Sequence, residues 1–311
     1  AYAILYRLEG SEMCIRDRDE LIGIITKDEF LSDDLIQDVL FILGGKKPIR
    51  LGETGCQFSP RNKMSFSDLD TSRSLKVDVN IVPKTNREKQ ILVADMDSTL
   101  IYEESIDELA KITGLSEKIV EITNRSMTGK ISFSDSLIQR TALFEGVKLD
   151  ILENCFIECI NLSKGAKILV DTMNSRGART YIVSGGYHFF VERVAKLLNV
   201  TDYYSNDFII EDKKISGKVK KPIIDEIGKL NLIKKICKKS NLNLKNVIAA
   251  GDGANDINML KSVGHGVAYK SKKIVKKYTD LHIDYSDFTS LLFLQGIEPV
   301  SYTHLRAHET V

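Results

Sequence analysis

The feature that most constrains this chain is an apolar run that ends in two closely spaced acids. Ile91–Ala94 holds four apolar residues, two of them β-branched, and Asp95 and Asp97 follow directly. Such a run is typical of a strand buried on both faces, with the acids at its carboxyl end. Carboxylates this close repel one another, so a folded protein keeps them together when a cation or a shared proton compensates. The pattern predicts a hard metal ion at Asp95, although an isolated D-x-D is more often a solvated loop.

Two later stretches have the same form and argue against the solvated loop. Residues 180–186 (TYIVSGG) place Ser184 after a β-branched run, and residues 247–256 (VIAAGDGAND) place Asp252 after another. The carboxyl ends of parallel strands meet at one edge of a sheet, and ligands bind there. Asp95, Ser184 and Asp252 are therefore predicted to form one site.

The length of 311 residues favours a core domain with a smaller one beside it. Residues 1–18 and 300–311 resemble translated sequencing adapter, so we expect both ends to be foreign to the native protein. Residues 19–85 are predicted to form a small α/β module. Its expected elements are a strand at Leu21–Thr26, a helix at Asp33–Leu43 closed by Gly44, a strand at 75–81 and a linker at 83–89.

The remainder, residues 86–299, predicts an α/β core with a helical cap. Residues 102–165 show only helical spacing, broken by Gly114, Gly129 and Gly146, which predicts four helices inserted after the first site strand. From residue 167 to 295 strands and helices alternate, as in a doubly wound parallel sheet. The helices of this second part are expected near residues 189–198, 229–240, 256–263 and 286–295.

Composition excludes several classes of protein. With 44 basic and 43 acidic residues the net charge is +1, which gives no electrostatic reason to expect a nucleic-acid partner. The lysines at 234–239 and 270–277 alternate with apolar residues, so we expect solvated helix faces there. No apolar run approaches the ~20 residues of a membrane span, and the five cysteines form no C-x-x-C pair. We expect a cytoplasmic protein without a disulfide framework, and the sequence leaves a homodimer open.

The motifs DMDSTL (95–100), VSGG (183–186) and GDGAND (251–256), in this order, resemble those of the haloacid dehalogenase superfamily, and within it the phosphoserine phosphatases. The resemblance runs from about residue 89 to 295, and the segment before it resembles an amino-acid-binding, ACT-like domain. It implies Mg²⁺-dependent hydrolysis of O-phospho-L-serine to L-serine and phosphate through an aspartyl phosphate, the last step of serine biosynthesis.

The resemblance also implies roles for the acids. Asp95 matches the nucleophile, and Asp97 matches the acid that protonates the leaving oxygen and later deprotonates water. The carboxylates of Asp95 and Asp252, with the backbone carbonyl of Asp97, would hold Mg²⁺, which prefers oxygen ligands. Asp256 matches a further acid of the metal loop, behind the ligands themselves.

Phosphate binding is implied for Ser184, the amide of Gly185 and Asn255. A cation must also offset the charges that meet when a carboxylate approaches a phosphate. Lys229 fits best by its spacing from the preceding loop, while Lys220 and Lys221 remain competitors from sequence alone, and a plain solvated helix lysine is the alternative for Lys229.

Substrate recognition is assigned to the cap. Arg140 shares a helical face with Phe133, so it must either extend its head to water or meet an anion. The resemblance matches Arg140 to the substrate carboxylate, Glu104 to the substrate ammonium, and Met127 and Phe133 to the apolar lid. Without the resemblance, Met127 and Phe133 would be ordinary core residues.

Two other functions remain open from the sequence. A phosphatase or phosphotransferase of the same fold would use another small phosphomonoester, or pass the phosphoryl group to an alcohol such as homoserine. A non-catalytic amino-acid sensor would combine the N-terminal module with a silent phosphatase fold. The intact set of Asp95, Asp97, Lys229 and Asp252 argues against the sensor.

Overall fold

The computed structural model describes residues 21–60 and 74–297, so both expected foreign ends lie outside the described residues. The strands are Leu21–Thr26 (β1), Lys46–Leu51 (β2), Gly55–Ser59 (β3), Asp78–Pro83 (β4), Ile91–Ala94 (β5), Arg179–Tyr187 (β6), Asp202–Asn206 (β7), Phe208–Glu211 (β8), Lys214–Val219 (β9), Val247–Gly251 (β10), His265–Tyr269 (β11) and Leu281–Ile283 (β12). The helices are Asp33–Leu43 (α1), Ser105–Ile112 (α2), Ser116–Met127 (α3), Phe133–Leu143 (α4), Leu149–Cys159 (α5), Ala166–Ser175 (α6), His188–Leu198 (α7), Glu226–Lys239 (α8), Ile257–Leu260 (α9) and Ser290–Leu294 (α10).

The core is a six-stranded sheet in the order β12-β11-β10-β5-β6-β7. All of its neighbouring strands are parallel, which confirms the predicted doubly wound α/β sheet. Strand β5 lies near the middle, and its side chains alternate between two hydrophobic clusters. Leu92 and Ala94 pack with α6 and α7 on one face, whereas Ile91 and Val93 pack with α8 on the other. Helices on both faces explain why this strand has no polar residue.

The N-terminal module is a four-stranded antiparallel sheet in the order β2-β3-β1-β4 with α1 packed on it. Strand β1 and helix α1 lie where they were predicted, and α1 begins at a Ser32 cap and ends at Gly44, whose φ is 60°. Two predictions were wrong. Strands β2 and β3 were missed, and Pro83, expected in the linker, ends β4 opposite Leu21.

Side chains of β4 fasten the module to the edge strand of the core sheet. The Asp78 carboxylate accepts hydrogen bonds from the amides of Asp284 (2.8 Å) and Tyr285 (3.0 Å). Asn80 donates to the carbonyl of His282 (2.9 Å) and accepts from its amide (2.8 Å). Asp78 and Asn80 are each 2% exposed, so these hydrogen bonds are shielded from water.

The cap contains the four predicted helices, α2 to α5, but it is not purely helical. The hairpin β8–β9, which comes later in the chain, packs against it. The amide of Gly146 donates to the carbonyl of Ile215 (2.8 Å), and Lys148 pairs with Lys214 in an isolated bridge. The chain from 208 to 219 therefore interrupts the predicted strand and helix alternation and belongs to the cap surface.

Several later helices differ in extent from the prediction. Helix α8 begins at Glu226 because the Asp225 carboxylate accepts hydrogen bonds from the amides of Ile227 (3.1 Å) and Gly228 (2.8 Å). Helices α9 and α10 are shorter than expected. None of the helices in the described ranges has the length and apolar character needed to cross a membrane.

Candidate active site

The three predicted site strands are neighbours. Strand β5 lies between β10 and β6, and all three run parallel, so Asp95, Ser184 and Asp252 reach the same edge of the sheet. Each of the three residues is at most 6% exposed. The prediction of one shared edge follows from topology, since crossover connections bring the carboxyl ends of these strands together.

Asp95 is fixed through both carboxylate oxygens. Its Oδ1 accepts a hydrogen bond from the amide of Met96 (2.8 Å), and its Oδ2 contacts Lys229 Nζ (2.7 Å) and Asn255 Nδ2 (3.3 Å). After Asp95 the chain makes an irregular turn over Met96–Leu100, with Ser98 at a φ of 52°. The strand end and the turn together hold the carboxylate in a single orientation.

Lys229 is the cation of this site. It is 1% exposed, and its Nζ lies 2.7 Å from Asp95 Oδ2 and 2.8 Å from Asp256 Oδ1. Burial alone lowers the pKa of a lysine, but the charges of Asp256 and Asp95 outweigh burial and raise it. Its competitor Lys220 instead pairs with Asp207 (2.7 Å) and is half exposed. Lys229 is thus a buried ion-pair partner and not a solvated helix lysine.

Three buried acids can hold a cation together. Asp95, Asp252 and Asp256 each place a carboxylate oxygen within 4.8 Å of the others. Burial, and then the charge of Asp95, raise the pKa of Asp252 to about 8 and that of Asp256 to about 7. A crowded set of carboxylate oxygens suits a hard divalent cation, which would remove the repulsion that raises these pKa values. The residues present therefore fit a Mg²⁺-type ion.

Asp252 and Asp256 are not equivalent within this cluster. Both oxygens of Asp256 are bonded inside the protein, to Lys229 Nζ and to the amide of Gly253 (3.2 Å). Asp252 has one cation near it, Lys272 Nζ at 3.7 Å. Among these three described acids, Asp252 therefore keeps the most oxygen capacity for an ion, and Asp256 supports Lys229.

Asp97 is not part of the acid cluster and is held at the start of α2. Its Oδ1 accepts a hydrogen bond from the amide of Ser105 (2.8 Å) at the start of α2. Lost hydration, and then the charge of Glu104, raise the pKa of this half-buried carboxyl to about 8. Asp97 thus keeps its proton near neutral pH. Glu104 itself accepts a hydrogen bond from the hydroxyl of Ser98 (3.0 Å) at the solvent-exposed rim.

The turn after Ser184 is held by a hydrogen bond and is packed closely on both sides. Ser184 Oγ accepts a hydrogen bond from the amide of Gly186 (2.9 Å). Gly186 must lack a side chain, because a Cβ there would lie 2.6 Å from Asp97 Oδ2. The cap closes over the same turn, since a Cβ at Gly185 would lie 2.8 Å from the ring of Phe133. Asp97 and Ser184 therefore lie against Gly186, and Phe133 of the cap lies against Gly185.

Arg140 and Met127 complete the cap side of the prediction. Arg140 is half-buried, and its Nε is buried without a hydrogen-bond partner among the described residues. Its charge acts on Asp107 of α2 and on Tyr187 at the end of β6. Met127 ends α3 and is 64% exposed, and no contact of Met127 with the acid cluster is seen in the described ranges.

Lys272 is a neighbour of the site that sequence reasoning missed. It was assigned to a solvated helix face at 270–277, but the chain there is a loop after β11, and only Val275–Lys277 makes a short helical turn. The amide of Lys272 donates to the carbonyl of Asp252 (3.1 Å), which places its ammonium beside the acids. The alternation of lysine with apolar residues, which misled the prediction, carried no signal for this loop.

The comparisons with known proteins agree with this geometry. The family model for haloacid dehalogenase-like hydrolases matches residues 89–264. The chain is 39% identical over 204 residues to the phosphoserine phosphatase of Lactococcus lactis, covering 66% of this chain and 94% of the relative. It is 36% identical over 206 residues to the phosphoserine phosphatase of Archaeoglobus fulgidus, covering 66% of this chain and 60% of that longer relative.

A solved structure titled as a substrate-bound phosphoserine phosphatase complex gives a TM-score of 0.62 at 32% identity. The match covers 67% of this chain and 99% of that one, so the core and cap of the two proteins share one fold. By the extent of the family model and by these relatives, the chain belongs to the haloacid dehalogenase-like hydrolases and, within them, to the phosphoserine phosphatase family.

Proposed function

We propose that this protein hydrolyses O-phospho-L-serine to L-serine and phosphate through a phosphoryl group carried on Asp95. The observation that carries the proposal is the buried Asp95–Lys229–Asp256 arrangement at the carboxyl edge of the sheet, with contacts of 2.7 and 2.8 Å. A carboxylate held beside an ammonium is oriented for attack on a phosphate ester. The relatives named phosphoserine phosphatase support this choice of substrate.

In the first step a carboxylate oxygen of Asp95 bonds to phosphorus and the bond from phosphorus to the serine oxygen breaks. Asp97 supplies the proton that the departing serine oxygen needs, and its raised pKa keeps that proton in place near neutral pH. In the second step Asp97, now ionised, takes a proton from water, which attacks phosphorus and releases phosphate and free Asp95.

The phosphoryl oxygens carry the charge that must be balanced during both steps. Lys229 would supply positive charge to them from its position beside Asp95. Ser184 offers its hydroxyl, whose oxygen already accepts the amide of Gly186, so its hydrogen is available to the ligand. The side chain of Asn255, which contacts Asp95 Oδ2 (3.3 Å), and the amide of Gly185 would complete the set.

We further propose Mg²⁺ as the ion of the acid cluster. Asp95 and Asp252 would hold it through their carboxylates, and Asp97 through its backbone carbonyl, with Asp256 behind them. When bound, such an ion supplies positive charge for the transferring phosphoryl group. The hardness of the donors supports Mg²⁺ over softer metals.

Recognition of the serine moiety is assigned to the cap. Arg140 has a buried Nε without a hydrogen-bond partner among the described residues, and a planar guanidinium matches a carboxylate. Glu104 at the rim offers a carboxylate to the substrate ammonium, and Phe133 and Met127 close the apolar side. These contacts lie away from phosphorus, so they orient the ester and take no part in the chemistry.

We propose the same division of the chain as the sequence predicted. It has an ACT-like module at residues 19–85 and a phosphatase core at 86–299, with a cap at about 102–165. Hydrogen bonds across the junction of β4 with β12 support a module that docks on the core. A cytoplasmic location and a homodimer remain predictions.

The test is phosphate release with Mg²⁺ from phosphoserine and from phosphoethanolamine, which lacks the carboxylate, with and without homoserine as acceptor. A lost charge-assisted contact is worth ~1.5–3 kcal/mol, so Arg140→Ala should lower kcat/KM roughly ten- to hundredfold on phosphoserine and little on phosphoethanolamine. Arg125 of α3, which donates to Gln139 (3.4 Å), gives the matched control. Arg125→Ala should affect both esters equally.

Equal losses on both esters for Arg140→Ala would show an arginine that only supports the fold, and would remove the structural reason for phosphoserine. Phosphohomoserine formed in place of free phosphate would show the phosphotransferase alternative. No phosphate release from any ester would exclude the phosphatase.

A further inference from the structure

One buried side chain outside the assigned site joins the turn after Ser184 to the segment that precedes α8. Asn206, the last residue of β7, is 2% exposed. Its Nδ2 donates to the carbonyls of Gly185 (2.9 Å) and Ile224 (3.0 Å), and its Oδ1 accepts from the amide of Ile224 (2.6 Å). Both donor hydrogens of this amide are used, so its orientation is fixed.

On one side Asn206 restrains the backbone of the turn after Ser184. The peptide unit between Gly185 and Gly186 has its carbonyl held by Asn206 and its amide held by Ser184 Oγ (2.9 Å). A peptide bound at both ends cannot rotate. These two bonds restrain Gly185 and the hydroxyl oxygen of Ser184, and so limit the movement of the turn that carries the Gly185 amide.

On the other side Asn206 restrains the backbone that leads into α8. Ile224 is held through both its amide and its carbonyl, as in one rung of a strand pair. The next residue, Asp225, caps the helix and accepts the amide of Lys229 on its carbonyl (2.8 Å). A shift of Ile224 would therefore move the first turn of α8 and the lysine on it.

We propose that Asn206 is a positioning residue for phosphate binding, which fixes the spacing between the Ser184–Gly185 turn and Lys229. The inference rests on the proposed function, because it assumes that both elements meet the same phosphoryl group. Asn206 acts only through Gly185 and Ile224 and does not touch the ester. A displacement of these groups by about 1 Å is enough to weaken phosphate contacts strongly.

The chain offers a matched control in Asn80. It is also a 2% exposed asparagine with two hydrogen bonds to the backbone, but it lies at the junction of the N-terminal module. Leucine is close in size to asparagine and forms no hydrogen bonds. Asn206→Leu and Asn80→Leu therefore remove comparable buried bonds, and both should lower the free energy of unfolding.

The experiment measures kcat, the KM for phosphoserine and the inhibition constant of inorganic phosphate, each corrected for the folded fraction from urea unfolding. For Asn206→Leu, KM and the inhibition constant should rise together, roughly tenfold or more. For Asn80→Leu both should stay at the wild-type value. If Asn206→Leu does not fold, Asn206→Asp takes its place, since it keeps the acceptor for Ile224 and loses both donors.

Unchanged phosphate inhibition in the folded Asn206 variants, or a change matched by Asn80→Leu, would overturn the inference and leave a purely structural asparagine. A wild-type protein that releases no phosphate from phosphoserine would instead remove the proposed function. In that case direct binding of inorganic phosphate by wild type and variants decides the inference alone.

Discussion

Replacing Lys229 by methionine tests most directly how much the buried ion pair of this residue contributes to stability, compared with an exposed ion pair at the surface. The ammonium is 1% exposed and touches Asp95 (2.7 Å) and Asp256 (2.8 Å). Methionine fills much of the same volume without the charge. The variant would thus keep the packing and leave two buried carboxylates without their cation.

The cost follows from the spacing of the acids. Carboxylate oxygens of Asp95 and Asp256 lie within 4.8 Å of one another. At an effective dielectric constant of about 20, two charges at that distance repel by about 3.5 kcal/mol. The loss of one partner of a buried ion pair typically costs ~3–5 kcal/mol, which agrees with that repulsion.

The penalty should depend on pH in a definite direction. Lys229 lowers the pKa of Asp256, which still stands at about 7 because of burial and Asp95. Without the lysine this pKa rises further, and the folded variant takes up a proton that the unfolded chain does not hold. Stability of the variant should therefore fall as pH rises from 6 to 9, with the full ~3–5 kcal/mol lost only at the alkaline end.

The assay is urea unfolding followed by circular dichroism, in EDTA, at pH 6 and pH 9. Lys272→Met is the control, because its ammonium is half exposed and lies 3.7 Å from Asp252. An exposed pair contributes ~0–1 kcal/mol, so the control should show little loss at either pH. Equal losses for the two variants, or a Lys229→Met penalty that does not change with pH, would refute the reasoning. Turnover of Lys229→Met should also fall by ~10³-fold or more.

The nucleophile, the metal and one buried histidine give further expected outcomes. Asp95→Asn should abolish phosphate release while the protein still folds, because the amide is nearly isosteric but cannot attack phosphorus. Normal release would exclude Asp95 as the nucleophile. EDTA should stop turnover, Mg²⁺ should restore it and Ca²⁺, with its looser coordination, should inhibit, while Mg²⁺ should raise the Tm of wild type more than that of Asp252→Asn. Full turnover in EDTA would contradict the metal assignment. Burial, and then the charge of Lys89, lower the pKa of His265 from 6.5 to about 4, so stability should fall as pH drops through that range. The fall is worth about 2 kcal/mol at pH 5, and urea unfolding should show it for wild type but not for His265→Gln. An equal fall in both proteins would mean that other groups cause it.

The parallel core was predictable because burial on both faces leaves a strong trace in the sequence. Strand β5 has no polar residue since Ile91 and Val93 meet one cluster and Leu92 and Ala94 meet the other. Its end is equally visible, because an acid after such a run must leave the apolar interior. Three strands of this kind fixed the edge at which the site was expected.

The antiparallel strands β2, β8 and β9 have no comparable hydrophobic pattern in the sequence. Strand β2 (KKPIRL) has five exposed residues, so it lacks the alternation that marks a half-buried strand. Hairpin β8–β9 turns through Asp212 and Lys213, both with positive φ, where glycine or asparagine would have been the recognisable signal. Its place on the cap depends on contacts with Gly146 and Lys148, which no local pattern encodes.

Asp252 and Asp256 are both acids of one short motif, and the sequence alone does not show that they make different contacts. The backbone geometry places them differently. Asp252 follows β10 directly and stays at the open edge. Asp256 is carried back by the short 3-10 turn Ala254–Asp256 until it packs on Gly251, where a Cβ would lie 2.5 Å from its Cγ. Only a glycine allows that approach, and the approach aims Asp256 at Lys229 and away from the edge. The glycine before Asp252 therefore determines that one acid remains for an ion while the other holds the lysine beside Asp95.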